Sequence, residues 1–316
     1  MLLKRIKIDG VAAPADSTDL DGCVKMPVGP LGVAFADAID LFAATLQTER
    51  VVPALTRFGF GDPNSIEVLE EAGLPMQASW GNGEAAACWA TEKAVTIQAE
   101  LAVDPVLFGL FRDHAVRDPR LVTALGQDPV VTIKVGWLFT PDRTTAAITI
   151  HELKVGSTGF HMVGAERPRW VPAVAREIGG RFHRVDRSAS ANVVAARLHE
   201  ASLATDPEMR AGFWRARAAL ADSPFGLGQL ELVRGDGGIE ARFGPQMIPA
   251  RRFGPAAAEA LQLVEAVYVS RPDVLVVEAP GVSQSEPAAV LKWLEAATTG
   301  NDATLEQVVL VHGGGA

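Results

Sequence analysis

One stretch constrains this chain more than any other: Val28-Gly29-Pro30-Leu31-Gly32-Val33-Ala34-Phe35-Ala36-Asp37. It follows two apolar segments that read as strands, Leu2 to Ile8 and Cys23 to Val28. It leads into a helical pattern from Ala36 to Leu46, with Ile39, Phe42 and Leu46 on one face. Strand, glycine-rich turn and helix together are the setting a phosphate-binding loop needs.

The chemistry of such a loop is missing. Its glycines let backbone N–H groups curl around phosphate oxygens, a Lys places charge on the outer phosphates, and a Ser or Thr hydroxyl holds Mg²⁺. Here Gly29 and Gly32 remain, Ala34 takes the last glycine position, Phe35 the Lys position, and Ala36 and Asp37 the hydroxyl positions. A helix N-terminus favours an acidic side chain, so Asp37 is expected to be part of a cap. Gly-Pro-x-Gly is also ordinary turn chemistry, which leaves open a purely structural strand–helix turn with Phe35 as a core aromatic.

The remaining sequence reads as a mixed α/β protein. Residues 65–101 look like an antiparallel meander, with Ala87 to Ala90 and Ala94 to Ala99 as strands and a hairpin turn at Trp80 to Glu84. Residues 105–126 look helical. Val130 to Phe139 alternates apolar and polar residues and is answered by Thr144 to Lys154 across Thr140 to Arg143; Gly159 to Val163 is a candidate further strand. Val171 to Ile178 is a helix with Gly179-Gly180 as its expected C-cap, and Ala191 to Ala204 and Pro207 to Leu220 are two more. A hairpin follows, Leu230 to Val233 with Ile239 to Phe243. Pro255 starts a helix carrying Leu261, Val264 and Tyr268. Val274 to Val277 is a continuous apolar run of the kind buried in parallel sheets. A helix from Pro287 to Ala297 and a strand from Val308 to Val311 complete the pattern.

Composition narrows the function classes. The chain has 316 residues, 48% of them hydrophobic, with a net charge of −9, which argues against nonspecific binding to nucleic acid or anionic membrane. Cys23 and Cys88 are the two cysteines, too few for a disulfide framework or a cysteine zinc site. His114, His151, His161, His183 and His199 lack ligand spacing, so no metal site is expected. Ser188 and Ser190 read as helix caps. The start, Met1 to Asp9, lacks the apolar core of a signal peptide, and no run reaches the roughly 20 apolar residues of a membrane span, so a cytoplasmic protein is expected.

Three points fall at the C-terminal ends of expected strands, where open α/β sheets keep their ligand crevice: Gly29 to Asp37, Glu278-Ala279-Pro280, and His312. In this order and spacing the chain resembles an ABC-type ATPase head of the SMC/RecF-like kind, a branch of the P-loop NTPases. The resemblance runs through the whole order of elements, strongest at residues 1–46 and 248–312. It implies a single head domain, residues 1–316, with a mixed central sheet and an inserted antiparallel β lobe and helical lobe; lobe I covers about 1–165 and 226–316, and the helical lobe about 166–225.

Measured against that family, each motif is altered. The Walker B strand should end Asp-Glu-Pro, whereas this chain has Glu278-Ala279-Pro280; Ala279 leaves the general-base position empty. The signature Ser is absent, its counterpart being Arg251-Arg252-Phe253-Gly254-Pro255. His312 alone matches the switch His. The resemblance therefore implies a pseudo-ATPase with no cofactor and no catalytic residues, serving as a regulatory or scaffold subunit for another protein chain such as an active ATPase or effector, in DNA maintenance or phage defence. One alternative is a divergent NTPase using ATP and Mg²⁺ at Glu278. Another is a nucleic-acid module using Arg167, Arg169, Arg176, Arg181, Arg184 and Arg187, which stand out against the acidic whole with Trp170 and Phe182 among them. A solvated helix face explains the same arginines.

Overall fold

The computed structural model describes residues 1–10, 15–18, 20, 22–27, 30–60, 62–81, 94–115, 118–125, 130–160, 168–185, 191–235, 238–243, 247–278, 280, 284–299 and 304–312. It divides into two compact units, Met1–Phe182 and His183–His312.

The first unit contains, in order, β1 (Leu2–Asp9), β2 (Ala15–Thr18), β3 (Cys23–Pro27), α1 (Pro30–Leu46), α2 (Val51–Arg57), β4 (Ile66–Glu71), β5 (Leu74–Trp80), β6 (Ala94–Ala102), α3 (Pro105–Ala115), α4 (Pro119–Leu125), β7 (Val130–Phe139), β8 (Thr145–Val155), β9 (Thr158–Phe160) and α5 (Val171–Gly180). Its sheet runs β2-β1-β6-β7-β8-β5-β4, with β9 beside β8. Each of these pairings is antiparallel. The alternation in β7 and β8 does what alternation predicts. Val131, Ile133, Val135 and Trp137 point into the core with Ala146, Ile148 and Ile150, and the residues between them face outward. The opening strand β1 joins this same sheet through β6.

Helix α1 lies on the buried face, against β5 and β8. A buried hydrogen-bond relay fixes it there. The Trp137 Nε1–H donates to Thr45 Oγ1 at 2.8 Å, and the Thr45 hydroxyl donates back to the Leu41 carbonyl at 2.8 Å. Phe60, Trp80 and Phe139 cluster nearby, with ring centroids 4.6 to 6.4 Å apart. An Arg57–Asp40 ion pair ties α2 to α1.

The glycines closing α5 act differently from the expected cap. Gly179 and Gly180 are helical, and Arg181 after them stays right-handed at φ −83°, ψ −6°. Space explains Gly179: a Cβ there would lie 2.9 Å from both the Gln47 Cγ and the Leu46 Cβ, so α5 could not approach α1. Gln47 Nε2 then donates to the Arg176 carbonyl at 2.9 Å.

Strand β10 (Phe182–Arg184) leads into the second unit, made of α6 (Ala191–Leu203), α7 (Pro207–Ala221), β11 (Leu230–Gly235), β12 (Gly238–Phe243), β13 (Met247–Pro249), α8 (Pro255–Glu265), β14 (Val274–Glu278), α9 (Pro287–Ala296) and β15 (Gln307–His312). Strands β14 and β15 pair in parallel, as the continuous apolar run of Val274 to Val277 suggests, and all four of those valine and leucine side chains are buried. Strands β11, β12 and β13 form a small antiparallel sheet. The α/β class read from the sequence therefore holds. Asp206 caps α7 by accepting the Glu208 N–H at 2.9 Å, with Pro207 at the first helical position.

Helix α8 runs on into a π-helical turn, Ala266–Ser270, closed by Arg271 in the left-handed region at φ 43°. Its backbone touches α7 closely: a Cβ on Gly212 would lie 2.2 Å from the Tyr268 carbonyl oxygen.

Candidate functional site

The stretch that organised the sequence reading is helix, where a turn was expected. α1 begins at Pro30, six residues before the expected start, because proline's fixed φ suits the first helical position. Past the first turn of a helix, N–H groups bond to carbonyls four residues back and are not free to curl around a phosphate. Gly32, Ala34 and Ala36 are buried, and Phe35, at the Lys position, is 0% exposed. Asp37 is only 5% exposed and sits seven residues after the helix start, so it is a buried helix-interior residue and not the expected cap. Gly29 lies outside the described residues.

The Walker B counterpart has its own partner. Glu278 ends β14 with its side chain 32% exposed, and it forms an ion pair with Arg184, whose side chain is 7% exposed. Val185, next to that arginine, donates its N–H to the Val276 carbonyl at 3.0 Å, which holds Arg184 beside the end of β14. A guanidinium therefore occupies one flank of the carboxylate that a metal reading would use. His312 ends β15; Glu278 is in register with Val311, so His312 stands one step beyond it. Ala279 lies outside the described residues.

The expected arginine cluster is divided. Arg167 and Arg187 lie outside the described residues, and Arg169 and Arg176 are exposed. Arg181 is held by Asp104 at 2.8 Å and by Glu177 at 3.4 Å, and Arg184 by Glu278. Burial opposes ionisation of Asp104, but the Leu107 N–H, the Met1 amino group and Arg181 together outweigh it and hold the carboxyl below its usual range.

Sequence reasoning missed a cavity of about 630 Å³ in the second unit. It is lined by Glu208, Arg215, Ala218 and Ala219 of α7, by Asp222 and Ser223 after it, by Tyr268 and Arg271 at the π turn, by Trp293 of α9 and by Thr304. Tyr268 and Trp293 meet edge-on with centroids 6.0 Å apart, and Phe225 backs Trp293 at 5.1 Å. Arg271 donates to Glu208 at 3.3 Å. Burial raises the Tyr268 phenol, against the opposing effects of the Trp293 indole N–H, which donates to it, and of the Arg215 charge. These residues are spread over some hundred positions with no motif spacing. The only local signs were an aromatic in each of two helical patterns.

Nearby, Glu265 ends α8 in a buried position. Desolvation raises its carboxyl above the usual range, while the Ser270 hydroxyl, donating at 2.7 Å, and Arg197 at 3.9 Å pull the other way.

Among the described residues, no helix is long and apolar enough to cross a membrane. No family model matches the sequence, and no curated protein matches it. Among solved structures, the chain is similar to an SMC head domain from Thermotoga maritima, with 10% identity and a TM-score of 0.43 over 99% of this chain and 89% of that one.

Proposed function

We propose that this chain is a pseudo-ATPase head of the SMC/RecF-like kind that works by binding another protein chain, as a regulatory or scaffold subunit, without turning over nucleotide. The observation that carries this reading is Phe35. The position that would offer a Lys to the outer phosphates is an aromatic side chain with no exposure, inside a helix whose neighbouring Ala34 and Ala36 are buried too. The Glu278–Arg184 pair adds support, since a metal would have to compete with a neighbouring guanidinium for that carboxylate. Losing a general base alone lowers turnover by a factor of about 10²–10⁴. Losing the charge that neutralises the phosphates as well removes most of what phosphoryl-transfer catalysis consists of. The carboxylates on Arg181 and Arg184 also leave fewer cations for a nucleic-acid contact through that cluster.

The test is calorimetric titration with ATP in the presence and absence of Mg²⁺. The expected outcome is no Mg²⁺-dependent binding. Binding that requires Mg²⁺ and is lost in Glu278→Ala would overturn the reading in favour of a divergent NTPase.

A further inference from the structure

The α7 cavity has the features of a small-ligand site, and none of its residues belongs to the altered nucleotide motifs. Its volume of about 630 Å³ is within the roughly 300–1,000 Å³ of small-molecule pockets. Its aromatic side is half-buried: Trp293 and Tyr268 present ring surface, and Phe225 behind Trp293 keeps the indole from turning away. Its charged side is exposed: among the described residues Arg215 has no ion pair and Arg271 pairs with Glu208, itself a solvent-exposed carboxylate. The Thr304 hydroxyl oxygen in the wall is buried and has no hydrogen-bond partner among the described residues. An unpaired hydroxyl in the wall is a hydrogen-bonding group that a ligand can satisfy.

Three backbone features hold these groups in place. The π turn Ala266–Ser270 continues the chain from the end of α8 and carries Tyr268 to the cavity wall. Arg271 follows in a left-handed conformation that is uncommon for a residue with a side chain, and it aims its guanidinium at the cavity rim. Gly212 lets α7 approach the Tyr268 carbonyl, which closes one wall.

We propose that this cavity binds a nucleoside monophosphate: the ring against Trp293 and Tyr268, the phosphate at Arg215 and Arg271, and sugar hydroxyls at Asp222, Ser223 and Thr304. Charge sets the size of the anion. The two guanidiniums are balanced by the carboxylates of Glu208 and Asp222, and Arg271 is paired with Glu208, so Arg215 is the cation that meets a single phosphate and the further negative charge of a triphosphate finds no cation to offset it. Binding here needs no Mg²⁺ and does not involve Glu278, so its success or failure is separate from that of the pseudo-ATPase reading. The 5′-phosphorylated end of a strand carries the same ring and phosphate as the free nucleotide.

The experiment is calorimetric titration of the full chain with AMP, GMP, CMP and UMP without Mg²⁺, with inorganic phosphate and the matching nucleosides as half-ligands. A 5′-phosphorylated hexanucleotide is run beside them. At least one monophosphate is expected to bind with a Kd of about 1 mM or tighter, and about tenfold more tightly than either half-ligand. Arg215→Glu is expected to weaken it by about tenfold or more, the scale of one lost charge-assisted contact, and Ala218→Trp, which fills the cavity from the exposed side of α7, is expected to abolish it. Should Ala218→Trp not fold, Arg215→Glu decides alone, since Arg215 is on the surface. Hexanucleotide binding that both variants lose supports the site with a strand end as its ligand; binding of the monophosphate alone assigns it to the free nucleotide. The proposal is overturned if neither a monophosphate nor the hexanucleotide binds, if phosphate alone binds as tightly, or if binding persists in Arg215→Glu.

Discussion

Helices α1 and α7 begin alike, with a proline at the first helical position, and end up as opposites. In α1 the residues that a nucleotide motif would expose, Ala34 to Asp37, are all buried, and the helix is locked to its sheet by the Trp137–Thr45 bond. In α7 only Gly212, Phe213, Ala216 and Leu220 face the core, while Trp214 is 56% exposed and Arg215 lines an open cavity. The segment whose sequence looked like a functional motif is buried, and the segment that looked like a plain helix lines an open cavity. A Gly-x-x-Gly pattern reports what the backbone can do, and it takes the charged neighbours to say what the site does.

The sharpest way to break this comparison is to put the motif back. Phe35→Lys places a cation where no solvent reaches and leaves a void of aromatic size; it is expected to destabilise the protein by about 3–5 kcal/mol or to prevent folding. Ala218→Lys on α7 is expected to stay within about 0.5 kcal/mol of the parent. Urea denaturation of both variants measures the difference. A Phe35→Lys protein that is as stable as its parent would mean the start of α1 opens readily, and the contrast between the helices would collapse.

Next in size is the bond that holds α1. Trp137→Phe keeps most of the ring in the core and deletes the donor to Thr45, whose hydroxyl still donates to Leu41. The expected loss is about 1–2 kcal/mol, read by the same denaturation, with Thr45→Val in the Trp137→Phe background recovering part of it because both partners are then apolar.

What could be read from the sequence follows from the range of the forces involved. The β7–β8 hairpin and the buried run of β14 were legible because period-2 alternation and continuous apolarity are written in adjacent residues. The start of α1 was not, because Gly-Pro-x-Gly is equally good turn chemistry and only burial of Gly32 and Phe35 selects helix. Gly179 was read as a cap when its role is to admit Gln47 and Leu46 from a helix some 130 residues earlier. The short strand β13, Met247–Pro249, has nothing in three residues to mark it. In the candidate site, Glu278 and Arg184 were each singled out, yet their pairing across 94 positions could not be seen. The α7 cavity depends on a π turn, which no local pattern announces.

A smaller effect separates the surroundings of α7 from those of α1 by pH. Glu265, beside the π turn, has its carboxyl raised chiefly by burial. A folded-state value above the unfolded one means that folding favours the protonated form. The stability Glu265 contributes is therefore fully present below the unfolded carboxyl range, near pH 4, and is lost as pH rises through its raised folded value. Glu265→Gln, which resembles the protonated side chain, is expected to be more stable than the parent at neutral pH and to converge with it in acid. Urea midpoints taken across that range test the sign. A variant less stable than the parent at neutral pH would show that the Arg197 and Ser270 contacts dominate the carboxylate's burial.

The smallest expected effect concerns Trp214. Its indole stands out from α7 with the Arg217 guanidinium over it, 5.2 Å from the ring centroid, and that arginine also donates to Gln229 at 3.0 Å. Cation–π contacts at exposed sites contribute about 0.5–1 kcal/mol, and Phe213 beside it supplies the core contact whether or not the indole is present. Trp214→Ala is therefore expected to change stability by less than about 1 kcal/mol, an order of cost far below that of Phe35→Lys although the side chain removed is larger. An exposed tryptophan under a half-buried arginine contributes little to the fold of its own chain, yet Trp and Arg are among the residues most enriched where proteins bind one another. If Trp214→Ala instead destabilises by several kcal/mol, its exposure is not the resting state of the helix, and α7 is as structural as α1.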